Sequence, residues 1–441
     1  MPKTDDRHAI WLLLGLLFAM PFPLGANRPA IWWFFELALI LLAAWIPLRR
    51  MELLQRVMAS GDAFRWLLPA CLLWLVLQIV LGLFAPGVNL NRNALVGAEL
   101  LALTGFCVLF VSFMLFRSSD DMRAFAWMLV VLGGAQAVIG LLTYNDLSLG
   151  IWGGRSDGFF TAKGTYPNYN HFAGLLEMCL PFSVVTLVRQ FVDGRLFISF
   201  RGLASIAAVL LMLVALVLSG SRAGVMAFFV ASGMVIPLWV RAYRQRHSAK
   251  TGGRRWLFLA GAVVSISLLV ALFQGDLLYR LATRGSNSIR PALWGDMIAA
   301  FHRHPWLGNG AGVFGDIAPL YKSWLLSMLD FRYAHNDYLS WLIENGLPMT
   351  LLLLLIVAYP AWRLARYLWR GEQSIARWLY GVAALWALFG LGIHAVFDFN
   401  FHIPANAALF MAILGIGMSL SHGWRKAPRG RRRRAVPAED A

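Results

Sequence analysis

The chain has 441 residues, of which 59% are hydrophobic and 14% charged, and a formal net charge of +17 at pH 7. So much apolar mass with so little charge excludes an ordinary soluble domain. The positive charge does not argue for nucleic acid, because it gathers in short segments between apolar runs, where basic residues report membrane topology.

Runs of about 18 or more apolar residues recur along the whole length, the signature of a polytopic α-helical membrane protein. The sequence predicts twelve spans, at about 8–25, 31–47, 66–85, 95–116, 124–143, 171–188, 202–218, 223–240, 256–273, 347–362, 378–397 and 404–421. The first run has the length of a signal peptide. No small-residue cleavage site follows it, and a second run begins at Ile31, so it reads as a retained span. Cys71, Cys107 and Cys179 each sit inside an apolar run and read as small core residues, not as a disulfide framework.

This gives four segments: 1–273 with spans one to nine and short loops, 274–346 as a large polar loop, 347–421 with the last three spans, and 422–441 as a basic tail. An even number of spans puts both termini on one side. Alternation then assigns 28 of the 39 Lys and Arg residues to that side. The bias makes it cytoplasmic and sets the 274–346 loop on the far face, periplasmic in a Gram-negative cell. The run Arg429 to Arg434 reads as solvated or facing lipid headgroups.

The far-side charges are unevenly placed. Arg280, Arg284, Arg290, Arg303, Lys322 and Arg332 lie in the large loop, and Arg155 and Lys163 in the 144–170 loop. Arg222 stands in a very short turn, Ser219 to Gly224. Arginine on this side runs against the usual bias, and an anionic substrate at the membrane surface accounts for it.

Along the chain, the polar stretch around Asn168, Asn170 and His171 leads into a span and reads either as a surface turn or as one wall of a site. Arg222 precedes a helix between Gly220 and Gly224, and is either an anion contact or a side chain snorkelling to headgroups. Residues 289–301 form an amphipathic helix with Pro291 in its first turn. That places Arg290 at a helix start, for a forked clamp on diphosphate or an ion pair with Asp296 or Asp316. The turn from His304 to Gly312 reads as structural, with a nest of backbone N–H groups as the sharper alternative.

His335 is expected to begin a helix, with Tyr338, Leu339 and Leu342 on its face. An imidazole there is a surface group or a base for a sugar hydroxyl. No metal-ligand spacing surrounds it, so no metal is expected. Asp398, in the stretch from His394 to His402, is interfacial or orients a cation such as an arginine.

Taken together, Gly158-Phe-Phe, Asn168-Tyr-Asn170, Ser219 to Gly224 with Arg222, Arg290 with Trp294, Pro305 to Gly312, His335-Asn336 with Glu344-Asn-Gly346, and His394 with Asp398 resemble the O-antigen ligase and polymerase superfamily. The resemblance covers most of the chain. It implies an all-α fold of about twelve transmembrane helices, of the GT-C glycosyltransferase type, with a large partly helical periplasmic loop. It implies an enzyme of the bacterial inner membrane with its site on the periplasmic face. It also implies transfer of a glycan from undecaprenyl diphosphate to a sugar hydroxyl of the lipid A–core, with no metal, nucleotide sugar or other cofactor and no nucleic-acid partner. Arg222 and Arg290 match the family's diphosphate-binding arginines, and His335 matches its essential histidine. Arg155, Lys163, Asn168, Asn170, Arg284, Asn336, Tyr338 and Asp398 are the remaining candidate substrate contacts. An O-antigen polymerase or a protein O-oligosaccharyltransferase would use the same donor. A lipid-linked glycan flippase is the more remote alternative, since a transporter places polar residues deep within several spans.

Overall fold

The computed structural model describes residues 4–26, 28–59, 64–84, 91–145, 161–246, 289–371 and 373–422. Within them the chain is all-helical, without a strand. The helices are α1 (Thr4–Ala19), α2 (Pro29–Ala59), α3 (Phe64–Phe84), α4 (Arg92–Leu115), α5 (Ser119–Tyr144), α6 (Tyr169–Val192) and α7 (Phe200–Leu218). They continue with α8 (Arg222–Arg246), α9 (Arg290–Arg303), α10 (Phe314–Tyr321), α11 (Asp337–Arg370), α12 (Ile375–His394) and α13 (Pro404–His422).

Ten of the described helices are long and apolar enough to cross a membrane: α2 to α8 and α11 to α13. The first expected span is shorter than the sequence suggests. α1 has 16 residues, about 24 Å at 1.5 Å per residue, less than the roughly 30 Å of a bilayer core. The expected span at 256–273, the candidates Arg155 and Arg284, and residues 423–441 of the basic tail lie outside the described residues.

Local chemistry starts the helices where the polar interruptions fall. Ser118 and Asp121 form a reciprocal capping box at the start of α5, and Asn91 and Ser199 cap α4 and α7. The spans differ in what surrounds them. α6 and α13 are 94% buried along their apolar windows, whereas α3 is 28% buried and turns most of its surface outward. α13 lies against α4, and Gly415 allows the approach: a Cβ there would sit 2.4 Å from the Leu109 carbonyl oxygen. α6 packs against α5, α7 and α12, and α8 packs against α12.

The two ends of this bundle are chemically distinct. At one, Asp6 accepts from Arg50 at 2.5 Å and Arg117 at 3.0 Å, Arg377 donates to the Arg117 carbonyl, and Arg189 donates to the Tyr380 hydroxyl. At the other, the segments around 20–26, 91–94, 161–171, 218–224, 289–345 and 394–406 are tied together. Thr165 Oγ1 donates to the Pro21 carbonyl, the Ala162 amide to Leu218, Asn91 to Asp316, and the Asp337 amide to Ala395.

α9 begins at Arg290, one residue from the expected start. α11 corrects an expectation. His335 does not begin it: Asn336 is the N-cap and Asp337 the first helical residue. α11 is also broken at Gly346, where φ is 71° and ψ 172°, a backbone conformation essentially restricted to glycine. The break lets the 304–312 turn dock: the Asn309 and Gly310 amides donate to the carbonyls of Ile343 and Glu344, and the Leu347 amide donates to Pro305. A Cβ on Gly346 would lie 2.5 Å from the Trp306 carbonyl oxygen. Gly346→Ala is therefore expected to destabilise the protein by about 1–3 kcal/mol from backbone strain alone. Thermal unfolding of the detergent-purified variant measures this, and an unchanged midpoint would show that the break is not strained.

Candidate functional site

Four segments converge at the polar end of the bundle. The first is the start of α6. Asn168 caps it, its side-chain oxygen accepting from the Asn170 amide at 2.8 Å. This turns the Asn170 and His171 side chains, both buried, toward the 394–402 turn. The second is the start of α9, pinned where the Trp294 indole donates to the Ala334 carbonyl at 2.7 Å. The third is the 333–337 segment. His335 has φ 51°, a left-handed conformation that is uncommon for residues other than glycine and that aims its side chain independently of α11. The fourth is the turn between α12 and α13, which carries Asp398.

The Asp398 side chain is fully buried and sits where the four meet. Oδ1 lies 3.2 Å from His335 Nδ1 and 3.8 Å from His171 Nε2, and accepts from the Phe399 amide at 2.9 Å. Oδ2 accepts from Asn170 Nδ2 and lies 3.7 Å from an Arg290 guanidinium nitrogen, while the same guanidinium donates to the Phe397 carbonyl. Burial pushes the Asp398 carboxyl up, but the two imidazoles outweigh it and hold the group well below the usual carboxylate range. A carboxylate accepts only, so the His335 nitrogen facing it carries a proton and the other nitrogen, Nε2, is the proton-accepting one in the neutral ring. His335 retains 31% side-chain exposure and Arg290 retains 29%. Both therefore face a space a ligand can enter. Arg290 forms an ion pair with Asp398, while Asp296 accepts from the Ser323 amide and Asp316 from Asn91.

The Arg222 turn lies alongside α6. A Cβ on Gly224 would approach Ala173 and the Glu177 carboxylate within 2.8 Å, and the Leu218 carbonyl accepts from Ala162 in the loop leading to α6. Arg222, half-buried, is the first residue of α8. Lys163, in the same loop, is half-buried, and its amide donates to Thr143. Two other candidates are engaged within the fold: Asn336 caps α11 through the Leu339 amide, and the Tyr338 hydroxyl donates to the Gly392 carbonyl. The amides of the 304–312 turn, read as structural with a nest as the alternative, are engaged within the fold. Gly308 donates to the His304 carbonyl and Asn309 and Gly310 to Ile343 and Glu344, while Glu344 Oε1 accepts from the Phe314 amide at 3.0 Å just beyond the turn.

Sequence reasoning did not assign several members of this cluster. His171 faces Asp398, His394 pairs with Glu177 at 2.8 Å in a fully buried position, and His402 pairs with Asp337 at 2.6 Å. Burial pulls the His402 imidazole down, but Asp337 outweighs it and holds the group above the ordinary histidine value. Among the described residues no group of His, Cys, Asp and Glu has the arrangement of a metal site.

Residues 207–354 match the family model described as O-antigen ligase. That segment is an O-antigen ligase family domain. It runs from within α7 into α11 and contains Arg222, Arg290 and His335, while Asn170, His171 and Asp398 lie outside it. The O-antigen ligase domain supports a transferase of the ligase or polymerase type. Among curated proteins no match to the chain is found.

The site yields a stability prediction. A carboxylate with a depressed value contributes stability that is present above the usual carboxylate range and is lost only as pH falls through the depressed value. Asp398→Asn leaves Arg290 and two imidazoles without their counter-charge. It should cost about 3 kcal/mol or more near neutral pH, with the wild-type advantage persisting at pH 5. Thermal melts of both proteins at pH 7 and pH 5 test this; equal midpoints would remove Asp398 as the organiser.

Proposed function

We propose that the chain is an O-antigen ligase of the bacterial inner membrane. It transfers a glycan from undecaprenyl diphosphate to a lipid A–core hydroxyl at the periplasmic face, in a GT-C-type fold with both termini in the cytoplasm. The observation that carries this reading is the convergence of Arg290, His335 and His171 on one buried carboxylate. It lies at the end of the bundle away from the Asp6–Arg50–Arg117 cluster. The arginine-rich end supports a cytoplasmic assignment for itself and a periplasmic one for the site.

In this mechanism His335 Nε2 removes the proton from the acceptor hydroxyl as its oxygen attacks the anomeric carbon. The bond from that carbon to the diphosphate breaks, and its electron pair leaves on the phosphate oxygen. Arg290, joined by Arg222, stabilises the charge that develops there. Asp398 holds the His335 tautomer and orients Arg290, and is a positioning residue. A diphosphate already leaves well, so alignment and charge stabilisation account for most of the work. The domains follow the chemistry: 274–346 supplies His335 and Arg290, and the segments 1–273 and 347–421 supply Arg222, Asn170 and Asp398. Arg155, Lys163, Asn168, Arg284, Asn336 and Tyr338 are assigned to substrate contact around them.

Polymerisation differs only in its acceptor, a second lipid-linked glycan, and purified enzyme offered both acceptors separates the two activities. His335→Ala should lower transfer by roughly a hundredfold to ten-thousandfold while the protein elutes and melts as a folded species; wild-type transfer by this variant would overturn the assignment. Arg290→Lys keeps the charge but loses the planar fork, and should lower transfer by about a hundredfold. An unchanged rate with the lipid-linked donor would exclude a forked clamp.

A further inference from the structure

A second histidine–carboxylate pair stands beside the first, separated from it by aromatic rings. Phe399 contacts His171 at 4.5 Å and His335 at 4.9 Å, and its other neighbour Tyr333 stacks on it at 4.4 Å and contacts His402 at 4.7 Å. Beyond the rings, His402 bonds to Asp337 and lines the polar end of a cavity of about 530 Å³. The cavity lies between α3, α4, α11, α12 and α13. Its walls are Trp74, Leu101, Phe106, Leu353, Val357 and Met411. All five helices are of span length and composition, so the medium around it is hydrocarbon and an apolar filling is favoured over water.

Its lining indicates the occupant. It runs along α11 from Asn345 to Ala361, about 24 Å at 1.5 Å per residue, and beyond its polar end the walls are apolar, which suits an extended hydrocarbon chain. At the polar end Asn345 is 3% exposed and its Oδ1 has no hydrogen-bond partner among the described residues. A buried amide oxygen left this way requires a donor. The nearby ionisable groups are the carboxylates of Glu344 and Asp337 and the imidazole of His402, with Arg290 on the Asp398 side of the rings. More carboxylate than cation disfavours a diphosphate or any anionic head group at this end.

We propose that this cavity seats one acyl chain of a bilayer phospholipid whose head group is zwitterionic and donates hydrogen bonds, as an ethanolamine ammonium does. The occupant is distinct from both substrates. It packs between α4 and α11 against Tyr338 and Trp341, so the first turns of the helix that follows His335 rest on a lipid, and the geometry of the site depends on bilayer composition.

The test uses the full-length protein in nanodiscs doped with phospholipids that carry a photoreactive diazirine midway along one acyl chain. The head groups compared are ethanolamine, choline and glycerol, and a diazirine-bearing polyprenyl diphosphate is a fourth probe. Cross-linked peptides are mapped by mass spectrometry, which needs no transfer activity and so stands apart from the ligase reading. The ethanolamine lipid is expected to label peptides spanning 98–106 and 353–361 at least fivefold more than the choline and glycerol lipids. Gly105→Leu projects into the cavity: its Cβ would meet only Met411, at 3.4 Å. It should reduce that labelling at least tenfold, and Ala358→Phe, from the exposed side of α11, should do the same if the first variant does not fold. Labelling of these peptides by the polyprenyl probe instead, equal labelling by all head groups, no labelling, or labelling that survives cavity filling would each overturn the proposal.

Discussion

The buried carboxylate of Asp398 is the interaction on which the arrangement depends. An unpaired ion in a low-dielectric interior is costly, and the cost is relieved only when cationic and hydrogen-bonding partners surround it. Here those partners come from three separate parts of the chain: Asn170 and His171 on α6, Arg290 on α9, and His335 before α11. None of these segments adjoins another in sequence. The need to satisfy one charge therefore brings together a histidine, an arginine and the end of a buried helix, and it fixes the side of the imidazole that faces inward. The left-handed backbone at His335 is consistent with this, since such a conformation persists where surrounding contacts over-determine it.

Around that centre the charges are sorted. Phe399 and Tyr333 stack between a compartment with Arg290, His171 and His335 and one with Asp337, Glu344 and His402. The glycine-rich turn is engaged within the fold: its Asn309 and Gly310 amides donate to the Ile343 and Glu344 carbonyls, and Glu344 Oε1 accepts from the Phe314 amide just beyond it. The turn is thereby a brace on α11 at its Gly346 break.

Not every polar group within the spans serves this end. Glu36 on α2 and Glu99 on α4 are buried with carboxylate oxygens that lack hydrogen bonds among the described residues, and burial raises the cost of their charged forms. The apolar runs are thus less clean than their hydropathy suggests. The His394–Glu177 pair is better satisfied and has a structural consequence: it locks α12 to α6 beneath the Arg222 turn.

What the sequence determined by itself was whatever depends on neighbours a few residues apart. Apolar runs set the spans. Polar caps such as Asn91, Ser118 and Asn168 set where helices start, and the glycines at 308, 310 and 312 marked a tight path that appears with positive φ at each of them. Arg290 and Asp398 were legible as an arginine at a helix start and an acid at a span end, each with an alternative partner or role. Only the tertiary structure brought the two together, and it moved His335 out of the helix it was expected to begin. The His335–Asp398, His402–Asp337 and Asn170–Asp398 contacts join residues 63, 65 and 228 positions apart. Helical periodicity describes one face of one segment; which faces meet is set by packing α6, α11, α12 and α13 around a charge that must be surrounded.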